Sequence, residues 1–267
     1  MLLLFNHGST NMNIVKHWKV AAAAVAFSGI PSLGIAADAN LEPDDFVGIS
    51  FWLISMALVA STVFFFIERD RVEAKWKTSL TVSGLVTLVA AVHYFYMRDV
   101  WVSTGETPTV YRYIDWLITV PLLMVEFFLI LSAITAVPAR IFWKLLIGTT
   151  LMLVFGYLGE AGYMDVTAGF VLGMAAWIYV LYEIFKGEAG QLSAENASPA
   201  VQSAFNLMRN IVTFGWAIYP LGYLMGYMMG NVDANTLNII YNLADVLNKI
   251  AFGLIIWHVA VTESKVK

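Results

Sequence analysis

The chain of 267 residues contains no cysteine, four histidines, and charged side chains at only 13% of its positions. The absence of cysteine excludes disulfides, thiolate metal sites and thiol nucleophiles. His7, His17, His93 and His258 stand without ligand spacing, so no metal site is expected. Acidic residues outnumber basic ones by 19 to 15, which is not the balance of a nucleic-acid-binding surface. No polar stretch is long enough to fold as a soluble second domain. Apolar residues fill the space instead, at 60% of the composition and a mean hydropathy of +0.73. That is the composition of a membrane protein, with lipid as its surroundings.

The first residues read as a targeting segment. Lys16 and Lys19 precede the short apolar run 20–30, and small residues follow at Gly34, Ala36, Ala37 and Ala39. A basic flank, a short apolar core and a small-residue exit make residues 1–39 a signal peptide, with Met12 as an alternative start. An additional membrane helix is the competing reading, against which stand Pro31 and the shortness of the core. Residues 40–267 then form the membrane domain.

Seven segments can each cross a bilayer core about 30 Å thick, which takes roughly 20 helical residues. They run over 45–67, 78–97, 110–132, 138–158, 162–185, 202–229 and 236–261, with 187–199 as the longest polar loop. No strand pattern competes, so the fold class is all-α, a seven-transmembrane helix bundle. The basic residues are unevenly shared between the two sets of loops. One set holds Arg69, Arg71, Lys75, Lys77, Arg140, Lys144, Lys186, Lys265 and Lys267, and the other only Arg98. This bias puts the mature N-terminus outside and the C-terminus in the cytoplasm.

Against this apolar background a few ionisable residues stand out. Lys249 lies within the apolar stretch 237–261, where a charge costs roughly 2.5–3.5 kcal/mol on insertion scales. Asp245, one turn earlier, shares its face. Arg112 and Asp115 form a second intramembrane pair in the third segment. A lysine amine facing buried carboxylates suggests a covalent Schiff-base cofactor with its counter-ion. Thr119 and Glu126 follow Asp115 on the same face, with Glu126 eleven residues on, or about 16 Å along the axis. Carboxylates at two depths of one helix resemble a proton relay, while structural polar contacts between helices are the other reading. Pro121 would kink or loosen the helix between them. His93 lies at a height where it could reach Asp115, or it is an ordinary interface histidine. Trp116, Trp177, Trp216, Tyr219, Pro220 and Tyr223 could wall a slot for a long flat polyene, or simply pack.

Several ordered runs make the chain resemble the proteorhodopsins, a group of microbial type-1 rhodopsins, over about residues 41–264. They are Arg112-Tyr-Ile-Asp115 with Thr119, Pro121 and Glu126, then Phe214-Gly-Trp-Ala-Ile-Tyr-Pro220, then Asn242-Leu-Ala-Asp-Val-Leu-Asn-Lys249. Val92-His93-Tyr94 and Gly156-Tyr-Leu-Gly-Glu160 match the same family. The resemblance implies the microbial rhodopsin fold and all-trans retinal on Lys249 as a protonated Schiff base. It implies Asp115 as proton acceptor and counter-ion, Asp245 as second counter-ion, and Arg112 as the arginine stabilising them. It further implies Glu126 as proton donor and Thr119 as the middle of the acceptor–threonine–donor motif. His93 matches the histidine that pairs with the acceptor, and Trp52 its neighbour across a subunit boundary. Trp116, Trp177, Trp216, Tyr219 and Pro220 match the pocket walls, and Leu123 the tuning position where leucine goes with green absorption. Phe170 stands where antenna-binding relatives keep glycine.

The implied activity is light-driven outward proton pumping in the bacterial inner membrane, by a homo-oligomer, pentamer or hexamer, in lipid. A photosensor signalling to a separate transducer protein is the alternative.

Overall fold

The structure, a computed structural model, describes residues 41–265. The signal peptide expected at 1–39 lies outside the described residues, as does Lys267.

Ten α-helices follow one another among the described residues. They are α1 (Phe46–Glu68), α2 (Lys77–Thr104), α3 (Thr109–Ser132), α4 (Ala139–Glu160), α5 (Val166–Phe185), α6 (Glu188–Asn196), α7 (Pro199–Asn210), α8 (Ile218–Tyr223), α9 (Ala234–Asp245) and α10 (Phe252–Lys265). Several starts are side-chain capped. Asp45, Asp165, Ser198 and Asp233 accept from the backbone N–H groups of Gly48, Ala168, Val201 and Thr236. The backbone N–H and hydroxyl of Thr236 hold the Asp233 carboxyl below the usual carboxylate range.

Three differences from the sequence reading have physical causes. The second helix runs to Thr104 rather than stopping before Arg98, because charges end a membrane span without ending a helix. The polar loop 187–199 contains α6, held against α4 where Glu188 accepts from Arg140 Nε at 2.6 Å and from Lys144 Nζ at 3.0 Å. The third difference is in the sixth segment, which is not one helix. It is α7, a π-helical turn (Ile211–Gly215), a break at Trp216–Ala217, α8, and a second π-helical turn (Leu224–Met228). Pro220 explains the break: it has no N–H for the Trp216 carbonyl and its ring crowds that carbonyl. The Trp216 oxygen is taken by Tyr219 N–H instead, at 3.1 Å. Pro121, by contrast, leaves α3 unbroken.

Six stretches, Phe46–Arg71, Ala74–Thr104, Thr109–Ser132, Ala139–Glu160, Val166–Asn196 and Ala234–Lys265, are long and apolar enough to cross a membrane by themselves. The broken sixth segment completes the seven rods. The bundle is apolar on its outside: Phe214, Leu53, Ile67 and Ile178 are all more than half exposed. Lipid covers such side chains without penalty, so polar groups gather within the bundle, where backbone and side chains can satisfy them. Thr62 of α1 donates to Thr87 of α2 at 2.9 Å, and Tyr113 of α3 to Glu160 of α4 at 2.9 Å. Helices α4 and α5 meet at glycine, since a Cβ on Gly169 would lie 2.8 Å from Gly159 Cα.

Candidate functional site

The seventh rod brings Lys249 into the middle of the bundle on a π-helical turn, Val246–Ala251, between α9 and α10. A π turn inserts an extra residue into the helical register and often marks a functional position. Lys249 is 2% exposed and lies between two fully buried carboxylates. Its Nζ donates to Asp115 Oδ2 of α3, and to Asp245 Oδ2 at 2.9 Å. The sequence-expected set of Lys249, Asp115 and Asp245 is therefore one constellation. Asp115 Oδ1 has no hydrogen-bond partner among the described residues.

Asp245 is held from two further sides. Tyr94 of α2 donates to Oδ2 at 2.7 Å, and Tyr219 of α8 donates to Oδ1. Fixing one carboxylate with hydroxyl donors while the other keeps a free oxygen makes the two acids chemically unequal.

Arg112 is buried but does not pair with Asp115. Its Nη2 donates to Asn238 at 2.8 Å and Asn242 at 3.2 Å, and its guanidinium lies 5.4 Å from the Tyr241 ring and 5.7 Å from the Phe51 ring. The i, i+3 spacing suggested a direct pair; side chains on a helix lean toward its N-terminus, which carries Arg112 away from the Asp115 level. With Lys249 and Arg112 against Asp115 and Asp245, the formal charges of the buried group sum to zero.

Thr119 donates to the Asp115 backbone oxygen at 2.9 Å, one turn back on α3. Glu126 is fully buried further along that face. Its Oε1 accepts from Ser83 of α2 at 3.1 Å, Ser79 also faces it, and Oε2 has no partner among the described residues. His93 is half-buried and its Nδ1 bonds the Val89 carbonyl of its own helix at 2.8 Å. Within the chain it makes no bond to Asp115, whose Oδ1 is unpartnered. Trp52 meets Phe95 edge-on at 5.6 Å and is 39% exposed, so its indole is presented on the outside of the bundle.

Beside this group is a cavity of about 100 Å³, walled mainly by apolar and aromatic side chains. Trp116, Trp177, Trp216, Tyr219 and Pro220 line it, as their sequence pattern suggested, and so does Phe170. Leu123 and Lys249 are not among its lining residues. Leu123 is buried on α3, and the lysine amine is drawn aside to the two carboxylates. Trp116 packs edge-on against Tyr219 at 4.9 Å. Trp177 Nε1 donates to the Val212 carbonyl at 3.2 Å, an oxygen within the first π turn of the sixth segment. Tyr113 and Glu160 complete one end.

A family model described as bacteriorhodopsin-like protein matches residues 45–263. The chain belongs to the bacteriorhodopsin-like family. It is thus a multi-pass membrane protein of a family of retinal-binding rhodopsins. It is 61% identical over 230 residues to the green-light absorbing proteorhodopsin of Gamma-proteobacterium EBAC31A08, covering 86% of this chain and 92% of that protein. Among solved rhodopsins it is similar to the blue light-absorbing proteorhodopsin from Med12, at 56% identity and a TM-score of 0.71, over 82% of this chain and 99% of that one. It is also similar to xanthorhodopsin, described as a light-driven ion pump with dual chromophore, at 28% identity and a TM-score of 0.74, over 84% and 96% of the two chains.

Polar groups that the sequence reading did not assign complete the rhodopsin site: Tyr94, Ser83, Ser79, Asn248 and Tyr113. Tyr94 belongs to the Val92-His93-Tyr94 run, and only its bond to Asp245 gives it a role. Ser79, Ser83 and Thr87 recur every fourth residue along α2, a one-face pattern that could have been noticed.

Proposed function

We propose that this rhodopsin is a light-driven outward proton pump whose chromophore, all-trans retinal, is held on Lys249 Nζ as a protonated Schiff base. The observation that carries the reading is a buried amine between two buried carboxylates beside an aromatic cavity, with a third carboxyl at another depth of the same helix. The residues fit the group: Asp115 and Asp245 would hold the positive nitrogen, and Trp116, Trp177, Trp216, Tyr219 and Pro220 would hold the polyene. When bound, retinal supplies light absorption and an isomerisation that alters the surroundings of the nitrogen.

Asp115 takes the proton from the Lys249 nitrogen, because a charged pair becomes a neutral one in a low-dielectric site. Both oxygens of Asp245 already accept hydroxyl protons, which favours its anionic form, so Asp245 orients the pair and Asp115 receives the proton. Glu126, buried among apolar side chains and Ser83, returns a proton to the nitrogen from the cytoplasmic side and is reloaded from there. Arg112 keeps the outward side positive, which favours loss of a proton outward. A carboxyl at Glu126 favours a pump over a photosensor, since a sensor has no need of rapid reprotonation.

The same reading places the chain in the bacterial inner membrane with its N-terminus outside and C-terminus cytoplasmic, after removal of the 1–39 signal peptide, as a homo-oligomer in lipid. Leu123 is assigned to green absorption. The role of Asp115 is tested by Asp115→Asn in retinal-loaded cells: light-driven acidification should vanish, and normal acidification would sink the assignment.

A further inference from the structure

The break in the sixth segment leaves a backbone acceptor that helix hydrogen bonding does not serve. In an unbroken helix the Gly215 carbonyl would receive Tyr219 N–H, but that N–H is diverted to Trp216, and the next residue is Pro220. Asn248 fills the gap from the seventh rod. Its Nδ2 donates to Gly215 O at 3.1 Å and to the Tyr219 hydroxyl at 3.0 Å. Both partners can only accept here, since the Tyr219 proton goes to Asp245. The amide is 1% exposed and sits next to Lys249 on the same π turn. A Cβ on Gly215 would collide with Asn248 Oδ1, so the close approach requires glycine there. One side chain therefore joins the lysine's own turn to the broken sixth rod.

We propose that Asn248 is a positioning residue, a strap between the Lys249 turn and the sixth-segment break, through which displacement of Lys249 is passed to α7. Lys249 and Asn248 share a π turn, so a shift of the lysine backbone shifts the amide. Rods yield where their hydrogen-bond ladder is interrupted, and the strap is attached at that interruption. The inference rests on the reading of Lys249 as the chromophore lysine.

The absence of cysteine makes the test clean. Thr78→Cys and Gln202→Cys, both exposed and at the same end of α2 and α7, take a spin-label pair with no competing thiol. In retinal-loaded protein in bilayers, light should change the label separation, and Asn248→Asp, a same-shape acceptor facing two acceptors, should lose most of that change. Gly215→Ala, which displaces the amide, should do the same. A light-induced change in Asn248→Asp equal to that of the unsubstituted chain overturns the inference. So does an unsubstituted chain that acidifies its medium in light with no change in separation, an outcome that leaves the pump standing.

The second measurement is amide exchange in the dark. Asn248→Asp loses both bonds, and the loss of the one to Gly215 O alone should speed exchange at Ala217–Tyr219 about 2- to 12-fold, with α4 unaffected. This readout needs no pumping and decides the strap even if no pigment forms, a failure that would fall on the chromophore reading instead. Unchanged exchange at the break overturns the inference.

Discussion

Replacing Glu126 by glutamine removes a transferable proton while keeping size and the contact with Ser83. Glu126 is fully buried, with one oxygen accepting from Ser83 at 3.1 Å. Eleven residues separate it from Asp115, about 16 Å along α3, so Asp115 cannot stand in for it at that depth. Positioned proton donors contribute typically 10²–10⁴-fold, which corresponds to roughly 2.7–5.5 kcal/mol in the barrier. Return of a proton to the Lys249 nitrogen is therefore expected to slow by about 10²–10⁴-fold. The preceding transfer to Asp115 should keep its rate, because nothing in the Lys249–Asp115–Asp245 group touches Glu126. Flash photolysis of the retinal-loaded variant separates the two steps. Decay of the deprotonated species at the unsubstituted rate at neutral pH would refute the donor role.

Four other outcomes are expected. Lys249→Ala should abolish the visible absorption band after addition of retinal while the chain still inserts and folds; a persisting covalent pigment would contradict the attachment site. Lowering the pH neutralises Asp115 and removes the acceptor, so pumping should fade and the absorption maximum shift to the red on acidification, checked by a spectral titration; an unchanged spectrum counts against Asp115 as counter-ion. Tyr94→Phe removes one hydroxyl donor from Asp245, and a hydrogen bond to a charged group is worth roughly 1.5–3 kcal/mol, so thermal stability of the pigment should fall measurably. Leu123→Gln should move the absorption maximum to shorter wavelength, and no shift would remove Leu123 from the tuning role.

The parts of this site that could be read in the sequence are those whose presence in a membrane is costly. Lys249, Asp245, Asp115 and Glu126 each break an apolar run, and their spacing on a helix was enough to bring them to common faces. Uncharged polar residues carry no such signal. Tyr94, Ser83 and Asn248 are ordinary members of apolar helices until a partner from another helix is known, so their bonds to Asp245, Glu126 and Gly215 emerge only from the packed bundle. Arg112 shows the limit of spacing alone: the i, i+3 relation to Asp115 was real, but side-chain direction sent the guanidinium to Asn238 and Asn242. In the sixth segment hydropathy marked a single span, whereas Pro220 decides that it is two short helices with a break. The polar composition of α6 reads as loop, and its place depends on Arg140 and Lys144 two elements away.

The most direct test of the central claim is the pH of an unbuffered suspension of cells expressing the chain with retinal, followed under green light. A proton pump directed outward acidifies the medium, and a protonophore abolishes the signal. Alkalinisation that a protonophore enhances, or a pigmented suspension whose pH does not move in light, would contradict it.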